Sequence, residues 1–347
     1  MSVLSFLWSQ LFVTPALTTY DFSGQTIIIT GANRGIGFEA ARHLLQLNAK
    51  QVVLAVRCKV KGQDALRELE ASTMRAGSVR VEELDMASHA SVKAFALRVS
   101  KLDRLDAVLL NAGIYTNDFR RVDGFESHLT INVINTFYLA FLLLPALRAS
   151  AKAQGSRPRM SVVSSDRHVM FSLPAWKEEN LFDALNTERG AKMQQRYMIS
   201  KLMQVLLVRE MAARLRNSDV IVNSFTPGYC DSGLIDEIRG PTRVVLDLLK
   251  RATARTAEVG GRSLVAAIVP CPESHGRYLN DSQIDDLAVS PYVRSGEGFQ
   301  AGKRLWYDLL QVLERRQKGF HVALLVLDEG LCHADQARQE PGHQNLQ

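Results

Sequence analysis

Cysteine is sparse and scattered. Cys58, Cys230, Cys271 and Cys332 form no Cys-x-x-Cys pair and have no histidine at metal-ligand spacing, which argues against a disulfide framework and against zinc. A reducing, cytoplasmic setting is the simpler assumption. Long hydrophobic runs are missing as well. The start, Met1 to Thr19, is uncharged and apolar, with Phe6, Leu7, Trp8, Leu11, Phe12 and Val13, but it lacks a basic n-region, and Pro15 interrupts it before membrane-spanning length. A short helix packed on the domain is the expectation there, and an interfacial membrane foot is the alternative. Charge is not massed either: the net +6 comes from basic residues scattered among acids, so no nucleic-acid partner is expected, although the surplus would favour an anionic ligand. No internal repeat is visible.

What remains is an ordinary globular composition, 46% apolar and 22% charged over 347 residues, enough for a sizeable core. Apolar runs at Thr26–Thr30, Val52–Val56, Val79–Leu84, Ala107–Leu110, Met160–Val163 and Val220–Ser224 read as strands buried on both faces. Helical patterns separate them at Gly35–Leu47, Lys61–Met74, Ser88–Lys101, Ser127–Ala153 and Tyr197–Arg216. This alternation predicts a single α/β domain, a Rossmann-like doubly wound parallel sheet with helices on both faces. A helical stretch from about Pro241 to Ala267 and a strand at Gly276–Leu279 would bring the sheet to about seven strands. The expected division is an apolar segment over 1–20, the catalytic domain over 21–318 and an irregular tail over 319–347. Asp166–Arg196 is a connection long enough to suggest function.

Directly after the first strand comes Thr30-Gly31-Ala32-Asn33-Arg34-Gly35-Ile36-Gly37, leading into a helical pattern. Gly31 permits a tight turn, Gly35 lets the backbone approach a diphosphate, and Gly37 permits close packing of helix on strand. The helix N-terminus offers free N–H donors to an anion. Strand, turn and helix in that order point to dinucleotide binding rather than to an incidental turn.

Further along, Tyr197 and Lys201 stand four residues apart at the head of a helical pattern, one turn apart on one face. A nearby ammonium favours phenolate and brings a tyrosine toward acid/base work. Tyr-x-x-x-Lys is common by chance, but here it follows the glycine turn, Asn111-Ala112-Gly113 and Ser164-Ser165 in order.

The glycine spacing and this sequence of motifs resemble the short-chain dehydrogenases/reductases. Within that family the chain looks closest to the retinol-dehydrogenase-like and WW-domain-oxidoreductase-like branch, on the strength of Arg57, the extended Ser165-to-Tyr197 connection and Gly276-Arg277-Tyr278-Leu279. Its overall character resembles fungal members that serve secondary-metabolite pathways. The resemblance covers roughly Asp21 to Leu313 and implies an enzyme interconverting a carbonyl and an alcohol. By it, Tyr197 exchanges the proton, Ser165 rather than Ser164 holds the substrate oxygen, Lys201 holds ribose hydroxyls and tunes Tyr197, and Asn132 anchors a water that links the lysine to solvent. It also implies that Gly31, Asn33, Arg34, Gly35, Ile36, Gly37, Asp85, Asn111, Ala112, Gly113 and Ser232 border the cofactor, with Pro227-Gly228 beside the nicotinamide. Asn135 and the tail after Gly319 depart from the pattern, and no WW module precedes the dinucleotide motif.

The second strand ends Leu54-Ala55-Val56-Arg57 with no carboxylate for the ribose hydroxyls of NAD. Arg34 and Arg57 would suit a 2′-phosphate, so NADP(H) is the expected cofactor. Phe171, Leu173, Trp176, Leu181 and Phe182, with Leu234, Ile235 and Ile238, are candidate walls for an apolar substrate, or else ordinary core. A lone His168 is more often structural than catalytic. A homodimer through Ser127–Ala153 and Tyr197–Arg216 is expected by analogy. Two other readings stay open: a nucleotide-bound regulator without turnover, and a retinoid or lipid reductase attached peripherally to a membrane.

Overall fold

A computed structural model describes residues 3–215, 219–236, 238, 247 and 250–320. The uncharged start is helical as α1 (Val3–Phe12), and β1 (Thr26–Thr30) comes after it. The winding then runs α2 (Gly35–Gln46), β2 (Gln51–Val56), α3 (Lys59–Thr73), β3 (Val79–Glu83), α4 (His89–Val99) and β4 (Ala107–Leu110). A two-residue hairpin, β5 (Arg121–Val122) with β6 (Phe125–Glu126), precedes a π-helical turn over Leu129–Ile134 that leads into α5 (Asn135–Gln154). After β7 (Arg159–Val163) come α6 (Leu181–Leu185), α7 (Met193–Arg214) and β8 (Ile221–Phe225). The described chain ends with α8 (Ala257–Ala267), β9 (Tyr278–Asn280), β10 (Gln283–Ile284), α9 (Pro291–Arg294) and α10 (Gly296–Arg316).

Eight strands form one sheet in the order β10-β9-β8-β7-β4-β1-β2-β3, parallel throughout except for β10. This is the doubly wound single domain expected, with one strand more than foreseen. Strand β1 explains the two-sided burial: Ile27 and Ile29 point into the layer of α2, α3 and α8, and Ile28 points into the layer of α4, α5 and α7. Successive side chains on a strand face opposite ways, so a run of Ile has a home only between two helical layers. The winding reverses at β1, whose neighbours are β2 on one side and β4 on the other. A crevice opens beyond the carboxyl ends of the strands at such a reversal.

Several expectations are corrected. The stretch from Pro241 to Ala267 is not one helix: most of 237–249 lies outside the described residues, helix resumes at 250–253, and α8 begins only after the extended Thr256, whose hydroxyl accepts from Val259 N. Helix α7 starts at Met193, one turn before Tyr197. Ser127–Ala153 is divided by the π-turn. The Asp166–Arg196 connection carries 3-10 turns at Asp166–Met170 and Pro174–Lys177 besides α6. Its Leu173, Leu181 and Phe182 are fully buried in the core and line no cleft. Helix α10, which the sequence pattern did not reveal, starts on the Ser295 hydroxyl accepting from Gly298 N and lies along α7. The tail over 321–347, with Cys332, lies outside the described residues.

Candidate active site

A cleft of about 720 Å³ opens at the carboxyl ends of β1, β2, β4, β7 and β8, within the range of small-molecule sites. One end is built from backbone. Gly31 and Gly35 adopt the left-handed region at φ 69° and 64°, which glycine enters without steric cost. At Gly37 a side chain has no room: a Cβ would fall 2.7 Å from Asn111 Nδ2 and 3.0 Å from the Gly31 carbonyl. The Asn111 amide donates to the Thr30 carbonyl at 2.8 Å, and the backbone N–H groups of Asn111 and Ala112 donate to the Thr30 hydroxyl at 2.9 and 2.8 Å. Those bonds tie the end of β4 to the turn after β1. No side chain caps the N-terminus of α2, so its first N–H groups stay available to an anion.

Asn33, Arg34, Gly35, Ile36, Arg57, Asp85, Ala112, Gly113 and Ser232 all border this cleft, as does Lys61, which no motif singled out. Arg57 is exposed just beyond the buried Val56. Arg34 points elsewhere than expected: its guanidinium pairs with Asp236 at 2.8 Å and reaches the Gly233 carbonyl at 3.4 Å, spanning the mouth of the cleft. Asp85 accepts from Ala87 N at 2.9 Å and shapes the turn into α4.

Side chains build the other end. Ser164 donates its hydroxyl to the Lys201 carbonyl at 3.0 Å and holds β7 to α7, while Ser165, which lines the cleft with Tyr197, accepts at Oγ from Arg167 N at 3.3 Å. Lys201 Nζ donates to the Val163 carbonyl at 2.9 Å and to Gln204 Oε1 at 3.1 Å. Gln204 Nε2 in turn donates to the Asn132 carbonyl at 2.7 Å. Asn132 sits in the π-turn, a geometry that recurs at functional sites. Its Oδ1 accepts from Ile114 N at 2.9 Å, and its Nδ2 donates to the Ile114 carbonyl and to Ser200 Oγ at 3.1 and 3.0 Å.

Burial pushes the Tyr197 phenol well above its ordinary range, with the neighbouring Ser165 hydroxyl opposing. Burial likewise brings the Lys201 ammonium down to about 7. The lysine was expected to tune the tyrosine, but its Nζ lies 5.7 Å from the Tyr197 ring centroid and is occupied by two neutral acceptors. In the free protein both groups respond mainly to desolvation.

The residues suit a dinucleotide: positive-φ glycines under an uncapped helix and the bordering cations Arg34, Arg57 and Lys61 at one end, and a buried phenol and amine with a half-buried hydroxyl at the other. Comparison with known proteins agrees. A family model described as short chain dehydrogenase matches residues 25–166. The short-chain dehydrogenase anuD of Penicillium roqueforti is 57% identical over 330 residues, 93% of this chain and 86% of its own. The chain belongs to the short-chain dehydrogenase/reductase family. A second fungal relative, the short chain dehydrogenase/reductase dmxR8 of Cryptosporiopsis, is 39% identical over 91% of this chain and 98% of its own. Solved structures share the fold, among them an active-site complex of Pseudomonas aeruginosa RhlG with NADP (TM-score 0.58, 23% identity, 76% of this chain and 97% of that one). The NADPH-bound carbonyl reductase from chicken fatty liver is another (TM-score 0.56, 22% identity, 77% of this chain and 99% of that one).

This short-chain dehydrogenase/reductase also carries features of the site that the sequence did not announce. Tyr115 stacks on Tyr197 with ring centroids 4.5 Å apart. The fully buried His128 pairs with Glu126 at 2.9 Å behind them; burial pushes Glu126 up, and the His128 and Ser127 hydrogen bonds outweigh it. Gln204 had a signal in the sequence, since it stands three residues beyond Lys201 on the same helical face. His168 is structural: buried and held near 4 by desolvation, it contacts the Ser165 carbonyl at 2.7 Å and accepts from Ser290 N at 3.2 Å. Of the expected apolar walls Leu234 lines the cleft, and Ile114, Tyr115, Ile131 and Met198 join it.

Proposed function

We propose that the protein is an NADP(H)-dependent oxidoreductase interconverting a carbonyl and an alcohol on an apolar, secondary-metabolite-type substrate. The observation that carries this reading is that Ser165, Tyr197 and Lys201 line the same cleft that the glycine turn borders. The cofactor would supply or accept the hydride. Tyr197, whose proton burial holds on, gives that proton to the substrate oxygen, and the Ser165 hydroxyl hydrogen-bonds the same oxygen. Lys201 would hold ribose hydroxyls. The absence of a carboxylate at the end of β2 and the exposed Arg57 beside Lys61 support NADP over NAD. The fungal relatives, similar along nearly the whole chain, support the oxidoreductase reading, and the apolar lining at Ile114, Ile131, Met198 and Leu234 supports an apolar substrate.

The test is oxidation of NADPH and NADH by the purified protein against a panel of apolar ketones and aldehydes, with Tyr197→Phe in parallel. NADPH consumption that drops about 10²- to 10⁴-fold in the variant, with cofactor affinity retained, supports the reading. Turnover surviving in Tyr197→Phe overturns the proton assignment, and cofactor binding without turnover across a widened panel favours a nucleotide-bound regulator.

Peripheral membrane attachment has one observation in its favour. Helix α1 has no charged residue and turns Trp8, Leu11 and Phe12 outward at 63, 52 and 68% exposure. Flotation with liposomes tests it; protein left at the bottom of the gradient rules it out.

A further inference from the structure

Helix α1 inverts the usual rule of apolar inside and polar outside. Trp8 and Phe12 face outward, while Ser9 and Gln10 are only 7 and 8% exposed. Hydrogen bonds therefore hold its inner face, and they converge on the segment after β8. Gln10 Oε1 accepts from Tyr229 N at 3.0 Å. Gly228, in the left-handed region at φ 77°, lies so close that a Cβ there would stand 2.5 Å from Gln10 Nε2 and 2.8 Å from Arg255 Nη1. Arg255, itself buried, closes the arrangement. Its Nη2 donates to the Ser9 and Val13 carbonyls at 2.9 and 3.0 Å and to Asp281 at 2.6 Å, and its Nη1 donates to the Pro227 carbonyl at 3.3 Å. The Ser9 hydroxyl donates to the same Asp281 at 2.7 Å. One helical turn before Gln10, Phe6 lines the cleft together with Pro227, Gly228, Tyr229 and Cys230.

We infer that α1 is a working wall of the active site, in which Gln10 is a positioning residue that fixes the Pro227–Cys230 segment against the reacting end of the bound dinucleotide. The inference rests on the reading of the cleft as a dinucleotide site and adds a part from outside the doubly wound unit. A buried glutamine, a buried arginine and a buried serine spent on one short helix are more than an idle extension needs, because each must be desolvated to make these bonds. The glycine turn after β1 meets the segment after β8 at its far end, where Ile36 lies near Cys230 and Arg34 reaches the Gly233 carbonyl, whereas Gln10 holds it at Tyr229, so loosening α1 should be felt chiefly at the other half of the ligand.

The experiment uses the full chain with Gln10→Leu, which keeps bulk and removes the acceptor, and Gln10→Glu, which keeps an acceptor oxygen. Hydrogen exchange at the Tyr229 amide and dissociation constants for NADPH and for 2′,5′-ADP, which carries only the adenosine half, are measured for each. Gln10→Leu is expected to speed exchange at Tyr229 and to weaken NADPH about tenfold, the worth of one hydrogen bond, with 2′,5′-ADP within about twofold of wild type; Gln10→Glu restores both. Equal weakening of the two ligands would mean general destabilisation, and unchanged exchange and affinity would mean an idle helix; either overturns the inference. A wild-type chain that binds neither nucleotide sinks the cofactor reading itself, which separates that failure from this one.

Discussion

The two ends of the cleft are built in different ways. The end that the glycine turn borders, given to the cofactor phosphates in the proposed function, is drawn mostly from residues 31–113, with Ser232 and Gly233 beside Gly35 and Arg34. Backbone geometry and short strand-end bonds such as Asn111 to Thr30 hold it in place. The reacting end gathers Asn132, Ser165, Tyr197, Lys201 and Gln204 with a turn at Tyr229 that Gln10, 219 residues away, holds. One end is a local property of the chain. The other exists only once distant segments have packed, so the two should fail separately.

Gly37→Val should break the first end most severely: its Cβ has no room between Asn111 and Gly31, and nucleotide binding read by NADPH fluorescence is expected to vanish. Retained affinity would mean that the turn does not depend on that close packing. Ser165→Ala attacks only the other end, with turnover down about 10²- to 10³-fold, the cost of losing one donor to the reacting oxygen, and NADPH affinity unchanged. Arg57→Ala is expected to weaken NADPH about tenfold while leaving NADH alone; Arg34→Ala, released from Asp236, tests whether the cation at the mouth contributes as well. If both preserve the preference for NADPH, the phosphate assignment fails.

The smallest effect is on stability against pH. Lys201 is depressed to about 7 by burial, so between 7 and its ordinary value near 10.5 the unfolded chain holds the extra proton and stability rises with pH. Asp166, raised to about 6 from 3.8 by burial, holds the extra proton in the folded chain, so its contribution falls as pH climbs through that window. His168, held near 4 by burial against its ordinary 6.5, opposes Asp166 over nearly the same window. Denaturation midpoints of the free protein should therefore be nearly flat below about pH 6 and rise above about pH 7 as Lys201 titrates. Lys201→Met should flatten the alkaline rise, and Asp166→Asn should uncover a rise with pH between about 4 and 6; an unchanged profile in both would show that neither group titrates as its burial implies.

The same division explains what could be read from the sequence. Strand runs of Val, Ile and Leu announce two-sided burial, and the glycine turn announces itself because positive φ and close approach are local demands, so the sheet and the backbone of that turn were legible. Tyr197 and Lys201 share a helical face, and helical periodicity is local too. Tyr115 over Tyr197, the His128–Glu126 pair and the Gln10–Tyr229 bond depend on which loops meet in space, and no spacing encodes that. Arg34 was assigned by chemistry alone, which suits a phosphate and a carboxylate equally well; the fold offers it Asp236. Helix α10 escaped because Gly296, Gly298 and Gly302 blur its pattern, while its packing against α7 supplies what propensity does not.

The π-turn over Leu129–Ile134 sets the rotational register of α5. It carries one residue more than the α-helical turn it replaces, and a single residue is worth about 100° of rotation in an α-helix. Asn132 can therefore face the Ile114 strand-end loop while α5 still presents Phe137, Leu139 and Leu143 to the core. Removing one residue from this turn would restore regular winding only by swinging one of the two faces a quarter-turn out of place. The insertion lets a single helix serve the chemistry at its head and the packing along its body.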